Sequence, residues 1–368
     1  MKKATIVLPT YNEAGTIEKV IQQIFDEIKK KPNWQVEIVV VDSTSTDSTG
    51  DIVKKLQKKH LSLHLITTPK EGLGQAYIHG FTYAMEKLNS FVVFEMDSDL
   101  SHDPKKISEF LTEIEKGADF VIGSRYIKGG SIPENWAIYR KLLSGLGNII
   151  IRLGFMSSKS ADWTSGYRAI KTWVIKEAIS YIQPYTGYVF QVALLDFAMK
   201  HKARIAQVPI NFKDRTSGVS KIDYSQTIVQ TLWYVFSHSS FIKFFIVGAI
   251  GFVIDFAISY LFIERVHTQV WIATLLSTET AIISNFFMNN FWSFAHKKVD
   301  HSMGSYTKGF FKFNLVSSGS IAIQTIGVQL LSSIFTRKLW YMYKVIIIVF
   351  VVIPYSYILY NKLIWKEK

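Results

Sequence analysis

Cysteine is absent from all 368 residues, which excludes a disulfide framework and any cysteine-based metal centre. No secretory leader is expected either. The apolar run after Met1-Lys2-Lys3 stops at Pro9, far too short for one, so the N-terminal half is expected to stay on the side of the membrane where it is made. Acidic residues are scarce, 29 against 42 Lys and Arg, for a net charge of +13. That excess does not read as nucleic-acid binding: the basic residues are spread over amphipathic helices, and no aromatic-basic platform for bases accompanies them. Anionic phosphates and an anionic membrane surface explain it more simply.

Long apolar runs are present, and all lie in the second half. Four stretches, about 241–263, 270–294, 309–335 and 339–365, each reach the ~20 residues that a membrane-crossing helix needs. Polar residues inside them (Asp255, Glu279, Asn285, Asn289, Asn290, Asn314, Gln324) are costly in lipid and are expected to face one another. Trp292, Trp340, Tyr341 and Trp365 near the ends suit an interfacial belt. Lys297, Lys298 and Lys308 in one loop and Lys366 and Lys368 in the tail place those segments on the side of the N-terminal half, with Arg337-Lys338 against the trend. Lys243-Phe244-Phe245-Ile246-Val247 recurs as Lys312-Phe313-Asn314-Leu315-Val316, with Gly248 and Gly251 matched by Ser317 and Ser320. Two helical hairpins in tandem account for this, the small residues allowing close helix approach.

The first half alternates short apolar runs (4–8, 36–41, 61–66, 91–96) with helical stripes such as Ile17, Val20, Ile21, Ile24 and Ile28. Alternation of this kind predicts an α/β domain with a mostly parallel, Rossmann-like sheet covered on both faces. Ligands bind such sheets beyond the carboxyl ends of the strands. The polar residues there (9–13, 42–47, 97–101 and 123–125) are therefore expected to share one crevice. Asp97-Ser98-Asp99 ends the fourth run. Two carboxylates one residue apart on a strand end can hold Mg²⁺ or Mn²⁺, a cation usually shared with substrate phosphates. In Pro9-Thr10-Tyr11-Asn12-Glu13, Asn12 is placed to cap the next helix, while Tyr11 and Glu13 could stack on and hydrogen-bond a nucleobase. Gly72-Leu73-Gly74 hints at phosphate approach. Arg125, at the end of strand 120–122, has the planar fork that matches phosphate oxygens. Arg140, Lys141 and Ser144 lie on one face of an amphipathic helix over 136–155, whose apolar face could rest in a membrane interface. Asp214-Arg215 and Ser220-Lys221 sit in a loop able to close over a diphosphate.

In that order, PTYNE at 9–13, Asp97 and Asp99, GSRY at 123–126, YRKLLS at 139–144, DWTSGYRA at 162–169, GYVFQV at 187–192 and VPINFKDRTSGVSK at 208–221 resemble the family-2 glycosyltransferases, and within them the polyprenol-phosphate (dolichol-phosphate) mannose synthases. FIVGAIGFVID and SNFFMNNFWSF make the second half similar to the four-helix GtrA-type membrane domain. The resemblance implies a GT-A catalytic domain over 1–220, an interfacial linker helix over 221–239 and an all-α four-helix transmembrane domain over 240–368. It implies a nucleotide pocket of Pro9, Tyr11, Glu13, Asp42, Ser43 and Ser98, a metal site of Asp97, Asp99 and Ser101, and a donor-diphosphate clamp of Arg215 and Lys221. Arg125, Arg140 and Ser144 would hold the acceptor phosphate, with Asp97, Asp99 and Arg125 as the catalytic set. The activity implied is inverting, metal-dependent transfer of a hexose, foremost mannose from GDP-mannose, to a polyprenyl or dolichyl phosphate. It would occur on the cytoplasmic face of a membrane, the plasma membrane in a prokaryote. Three positions depart from the family pattern: Ser43 where a base-reading Asp is common, Ser101 where Gln is common, and Ala193 where a carboxylate is common. They leave open UDP-glucose or another nucleotide sugar as donor. The polar residues of the membrane half also leave open a lipid-linked sugar transporter.

Overall fold

A computed structural model describes the chain except residues 186, 215–223, 269, 298–301, 337–338 and 366–368. The expected diphosphate clamp, Arg215 and Lys221, therefore lies outside the described residues, as do Lys298, Arg337, Lys338, Lys366 and Lys368 of the orientation argument. The chain divides into two compact units, Met1–Val235 and Phe236–Lys368.

Among its described residues the first unit is built on seven strands: β1 (Lys2–Thr10), β2 (Trp34–Asp42), β3 (Leu63–Thr67), β4 (Val92–Glu95), β5 (Phe120–Ser124), β6 (Arg168–Lys171) and β7 (Ile205–Pro209). They are ordered β3-β2-β1-β4-β6-β5-β7. Neighbours run parallel except β6, which is antiparallel to both β4 and β5. The continuous apolar runs are what a sheet buried on both faces requires. On one face Ile6, Ile38, Val40 and Phe94 pack against Ile17, Val20, Ile21 and Ile24 of α1 (Ile17–Ile28) and Phe110 and Ile114 of α4 (Ile107–Glu115). Between these helices in sequence come α2 (Thr49–Gln57) and α3 (Leu73–Glu86). α3 covers the other face, and Gly80 lets it approach closely: a β-carbon there would collide with Val7.

The remaining helices of this unit are α5 (Ile138–Gly154), α6 (Thr172–Ile182), α7 (Gly187–Lys200) and α8 (Tyr224–His238), whose last turn enters the second unit. Asn12 does not cap α1. It adopts a left-handed φ of 58°, which Asn tolerates better than most residues. Its side-chain oxygen accepts from the Thr46 N–H at 2.8 Å, while Thr16 holds the cap position.

Among its described residues the second unit has four long helical stretches. They are α9 (Ser240–Tyr260) with a π turn at Leu261–Arg265, α10 (Val270–Met288) with a π turn at Asn289–Ser293, α11 (Met303–Ile334), and α12 (Trp340–Ile347) joined through a π turn at Ile348–Val352 to α13 (Ile353–Leu363). Among the described residues one helical stretch, Ser240–Arg265, is both long and apolar enough to cross a membrane. α9 packs on α10, and α11 on α12 and α13. Some inner polar groups do meet: Asp255 accepts from Ser277 at 2.7 Å, and Ser320 lies 2.8 Å from Ser356. Glu279 instead lies exposed, and the side chains of Gln324, Trp340 and Tyr341 fall outside those described. Trp365 is not a belt residue. It is fully buried, stacked on Phe294 with ring centroids 4.5 Å apart, and its indole N–H donates to Asn290 at 2.9 Å. A tryptophan whose N–H finds a buried acceptor is stabilised inside, and sequence position alone does not reveal such an acceptor.

Candidate active site

The carboxyl ends of β1, β2, β4 and β5 carry Pro9, Asp42, Asp97 and Arg125 to one edge of the sheet. Because β6 runs the opposite way, the loop that precedes it, Asp162 to Tyr167, arrives at that same edge. One antiparallel strand thus adds a motif that a purely parallel sheet would put on the far side.

At the β1–β2 corner, Thr10 donates to Asp42 at 3.3 Å, and the Asn12 N–H donates to Ser45 at 2.8 Å. The Ser98 hydroxyl donates to the Pro9 carbonyl at 2.9 Å, which stitches the carboxylate loop to the β1 corner. Asp42 and Ser43 are both buried, and the Lys70 ammonium lies 3.8 Å from the centre of the Tyr11 ring. The glycines of Gly72-Leu73-Gly74 serve a turn and packing: Gly72 has a φ of 98°, and a β-carbon on Gly74 would lie 2.9 Å from the Tyr185 carbonyl oxygen.

Asp97 is half-open and Asp99 buried. The Asp99 carboxylate accepts from the Ser101 N–H at 3.0 Å, while the Ser101 hydroxyl is buried with no hydrogen-bond partner. Among the described residues no cluster of three or more His, Asp or Glu side chains could cage a metal ion. Two carboxylates and an orphaned hydroxyl do fit a hard divalent cation that draws its other ligands from substrate phosphate and water. His102, unforeseen in the sequence, lies behind them. Its Nδ1 accepts from the Asp97 N–H at 3.0 Å, and its ring stacks on Tyr167. Burial pushes this imidazole down to about 4. It is therefore neutral near pH 7, with its proton on Nε2. Deeper still, the Glu95 carboxyl is pushed up to about 7 by burial, against the pull of Arg168 3.8 Å away. Arg168 in turn donates to the carbonyls of Trp163, Ser165 and Gln191 at 2.7 to 2.9 Å.

Arg125 differs from expectation in its electrostatics. Its fork is already occupied: Nε and Nη2 each donate to the Asp162 carboxylate at 2.7 Å, and Nη2 also reaches Thr164 at 2.8 Å. Burial alone would raise the Asp162 carboxyl, but the adjacent guanidinium outweighs it and holds the group below its ordinary value. Arg125 and Asp162 form a buried ion pair rather than a bare cation. Arg140 lies 3.9 Å over the Trp136 ring and 3.4 Å from Asp214. Ser144 accepts from the Tyr126 hydroxyl at 2.6 Å, which leaves its own proton to donate elsewhere. Asn148 fastens α5 to the loop before β6, its side-chain oxygen accepting from the Trp163 N–H at 2.7 Å.

These groups open into a cavity of about 350 Å³. Asp97, His102, Arg125, Arg140, Ser144 and Gln191 form its polar lining, and Leu143, Leu146 and Ile150 of α5 and Ile228 and Leu232 of α8 its apolar walls. Both helices expose apolar side chains, among them Leu142, Ile149 and Leu153 of α5 and Val229 and Trp233 of α8. α8 is seated by Tyr234, whose buried hydroxyl donates to Asp196 at 2.8 Å and lies 2.6 Å from that of Tyr181. Lys200 donates to the same Asp196 oxygen at 2.7 Å.

The mixed sheet with helices on both faces, carrying an Asp-x-Asp pair at its carboxyl edge, is GT-A-like. Comparison with known proteins narrows the class. Residues 5–180 match Glycosyl transferase family 2, and residues 243–365 match the GtrA/DPMS transmembrane domain. The chain is 31% identical over 328 residues to a dolichol-phosphate mannosyltransferase of Pyrococcus furiosus, covering 87% of this chain and 88% of that one. It is 34% identical over 226 residues to a polyprenol monophosphomannose synthase of Mycolicibacterium smegmatis, covering 61% of this chain and 82% of that one. A crystal structure of glucosyl-3-phosphoglycerate synthase from Mycobacterium tuberculosis shares 22% identity at a TM-score of 0.45, over 65% of this chain and 80% of that one, too loose a likeness to argue from. The chain belongs to the family-2 glycosyltransferases and carries a C-terminal GtrA/DPMS-type membrane domain.

Proposed function

We propose that this glycosyltransferase moves a hexose, foremost mannose from GDP-mannose, onto a polyprenyl or dolichyl phosphate with inversion at the anomeric carbon. The observation that carries the reading is the cavity. Its apolar walls on α5 and α8 suit an isoprenoid chain, and its floor presents Arg125, Arg140 and Ser144 beside Asp97. The similar chains from Pyrococcus and Mycolicibacterium bear names that describe mannosyl transfer to lipid phosphate.

A lipid phosphate is already ionised at neutral pH, so its oxygen can attack without a general base. The bond from the anomeric carbon to the departing diphosphate breaks as the new carbon–oxygen bond forms, and no proton moves. Arg140, Ser144 and the part of Arg125 that Asp162 does not engage would bind and orient the acceptor. Asp97 and Asp99 would hold Mg²⁺ or Mn²⁺, which supplies charge stabilisation to the leaving nucleoside diphosphate. Arg215 and Lys221 are assigned to the same diphosphate from the sequence. Pro9, Tyr11, Glu13, Asp42, Ser43 and Ser98 are assigned to the nucleotide. The exposed apolar faces of α5 and α8 would lie in the membrane interface, with the catalytic unit on the cytoplasmic side.

Ser43 supports a second donor reading. A buried hydroxyl holds a guanine edge less tightly than a carboxylate does, so UDP-glucose is the alternative. The test is transfer of radiolabelled sugar to polyprenyl phosphate in detergent, with Mg²⁺ or Mn²⁺ and GDP-mannose, UDP-glucose and UDP-galactose in parallel. Label from GDP-mannose in the lipid phase is the expected result. Label from a UDP-sugar alone would replace the donor, and none from any donor would overturn the reading in favour of a binding or transport role.

A further inference from the structure

One buried side chain in the cavity has no role in the reaction as described. Gln191 on α7 is 1% exposed, and neither its Nε2 nor its Oε1 has a hydrogen-bond partner. It is near enough to Glu95 to favour the charged carboxylate, yet no hydrogen bond of acceptable geometry joins them. The turn of α7 that carries it is anchored, since the Gln191 backbone carbonyl accepts from Arg168 at 2.7 Å. Opposite it the lining has no side chain at Gly166, where a β-carbon would stand 3.7 Å from Nε2. Buried polar groups are seldom left unpaired in native proteins, and each exception calls for an explanation.

The chemistry of the missing partner follows from the group. A carboxamide offers donors and an acceptor together and carries no charge. A hydroxyl, which both gives and takes a hydrogen bond, can satisfy the donor and the acceptor of the amide together, whereas a phosphate would engage only its N–H and a cation only its oxygen. Gln191 lines the same cavity as Asp97, on the donor side, and Arg125 and Arg140, on the acceptor side. The group that passes from one to the other is the sugar. We propose that the Gln191 carboxamide hydrogen-bonds a ring hydroxyl of the sugar being transferred and thereby selects which hexose is accepted. The inference rests on the transfer reaction proposed above. A site built to bind a hydroxyl discriminates strongly against an analogue that lacks it, because its polar group is then left unpaired.

The test uses the full-length chain with the nucleotide hexose it accepts and the four monodeoxy analogues of that donor (2-, 3-, 4- and 6-deoxy). Wild type is expected to use one analogue at least about tenfold less well than the others. Gln191→Leu should lower kcat/KM for the parent donor about 10- to 100-fold, leave the KM for polyprenyl phosphate unchanged, and use the disfavoured analogue and the parent equally. Gln191→Glu, which keeps an acceptor, should retain part of the selectivity. A common fall for all five donors in Gln191→Leu would show a merely structural role and overturn the proposal. So would equal use of all analogues by wild type, a result that needs no variant to fold. Absence of transfer by wild type from any nucleotide sugar would instead overturn the underlying reaction.

Discussion

Replacing Asp162 by Asn tests the electrostatic design of the site most directly. The Asp162 side chain is fully buried and that of Arg125 is 9% exposed, with two hydrogen bonds of 2.7 Å between them. The amide would keep the shape and remove the charge, leaving a guanidinium buried without its counter-ion. Breaking a buried pair from one side costs about 3–5 kcal/mol. For a unit of this size each kcal/mol lowers the melting temperature by about 2–4 °C. The variant should therefore melt about 6–20 °C below wild type in the transition of the catalytic unit, read by tryptophan fluorescence in detergent. Removing both charges, as Arg125→Met with Asp162→Asn, should restore most of the loss, since an apolar replacement of a buried pair is often near neutral. Transfer should stay low in both variants. The pH dependence follows the same pair. The Asp162 carboxyl lies below its ordinary value in the folded state, so its contribution is complete above the ordinary value of 3.8 and is lost as pH falls through the lowered one. Asp162→Asn should lack this acid-side loss. A single variant as stable as wild type, or a double variant no more stable than the single, would refute the reasoning.

Three further outcomes are expected. Asp97→Asn and Asp99→Asn should each cut metal-stimulated transfer about a hundredfold or more, and full activity in both would sink the metal assignment. Tyr234→Phe, which removes a hydrogen bond to a buried carboxylate, should cost about 1–3 kcal/mol. It should also raise the KM for the lipid acceptor while leaving that for the nucleotide sugar unchanged; an equal rise in both would mean that α8 does not shape the acceptor side. Leu146→Glu changes a side chain that is 52% exposed, so the fold should survive. Its use of long polyprenyl phosphates should fall while nucleoside diphosphate binding, followed by calorimetry, stays unchanged.

The sheet and its carboxylate pair were legible because both are local. Apolar runs of strand length and an Asp-x-Asp at the end of one are patterns of near neighbours in the chain. The sequence also anticipated the gathering of Pro9, Asp42, Asp97 and Arg125 at one edge, because parallel strands share a carboxyl end. The groups that condition the site were not legible. Asp162 meets Arg125 across 37 residues, and only the antiparallel direction of β6 brings them together. His102 reads as one polar residue among several until its ring is found stacked on Tyr167. Gln191 reads as part of an apolar helix, and its local pattern does not show that its amide is buried without a partner. Asn12 and Trp365 went against expectation for the same reason. A left-handed turn and a buried indole acceptor are set by residues distant in the chain.

The Arg125–Asp162 pair also bears on turnover. Under the proposed reaction the acceptor is a phosphate monoester, close to a dianion at neutral pH, and the product is a diester with a single charge. A pocket walled by unopposed cations would hold both tightly and release the product slowly. With Arg125 already neutralised by Asp162 and Arg140 only 3.4 Å from Asp214, the modest field that remains would grip the doubly charged lipid and slacken once glycosylation has removed a charge. The change in ionisation is then itself the signal for departure, and the residue that sets its sharpness is an aspartate with no part in forming the bond.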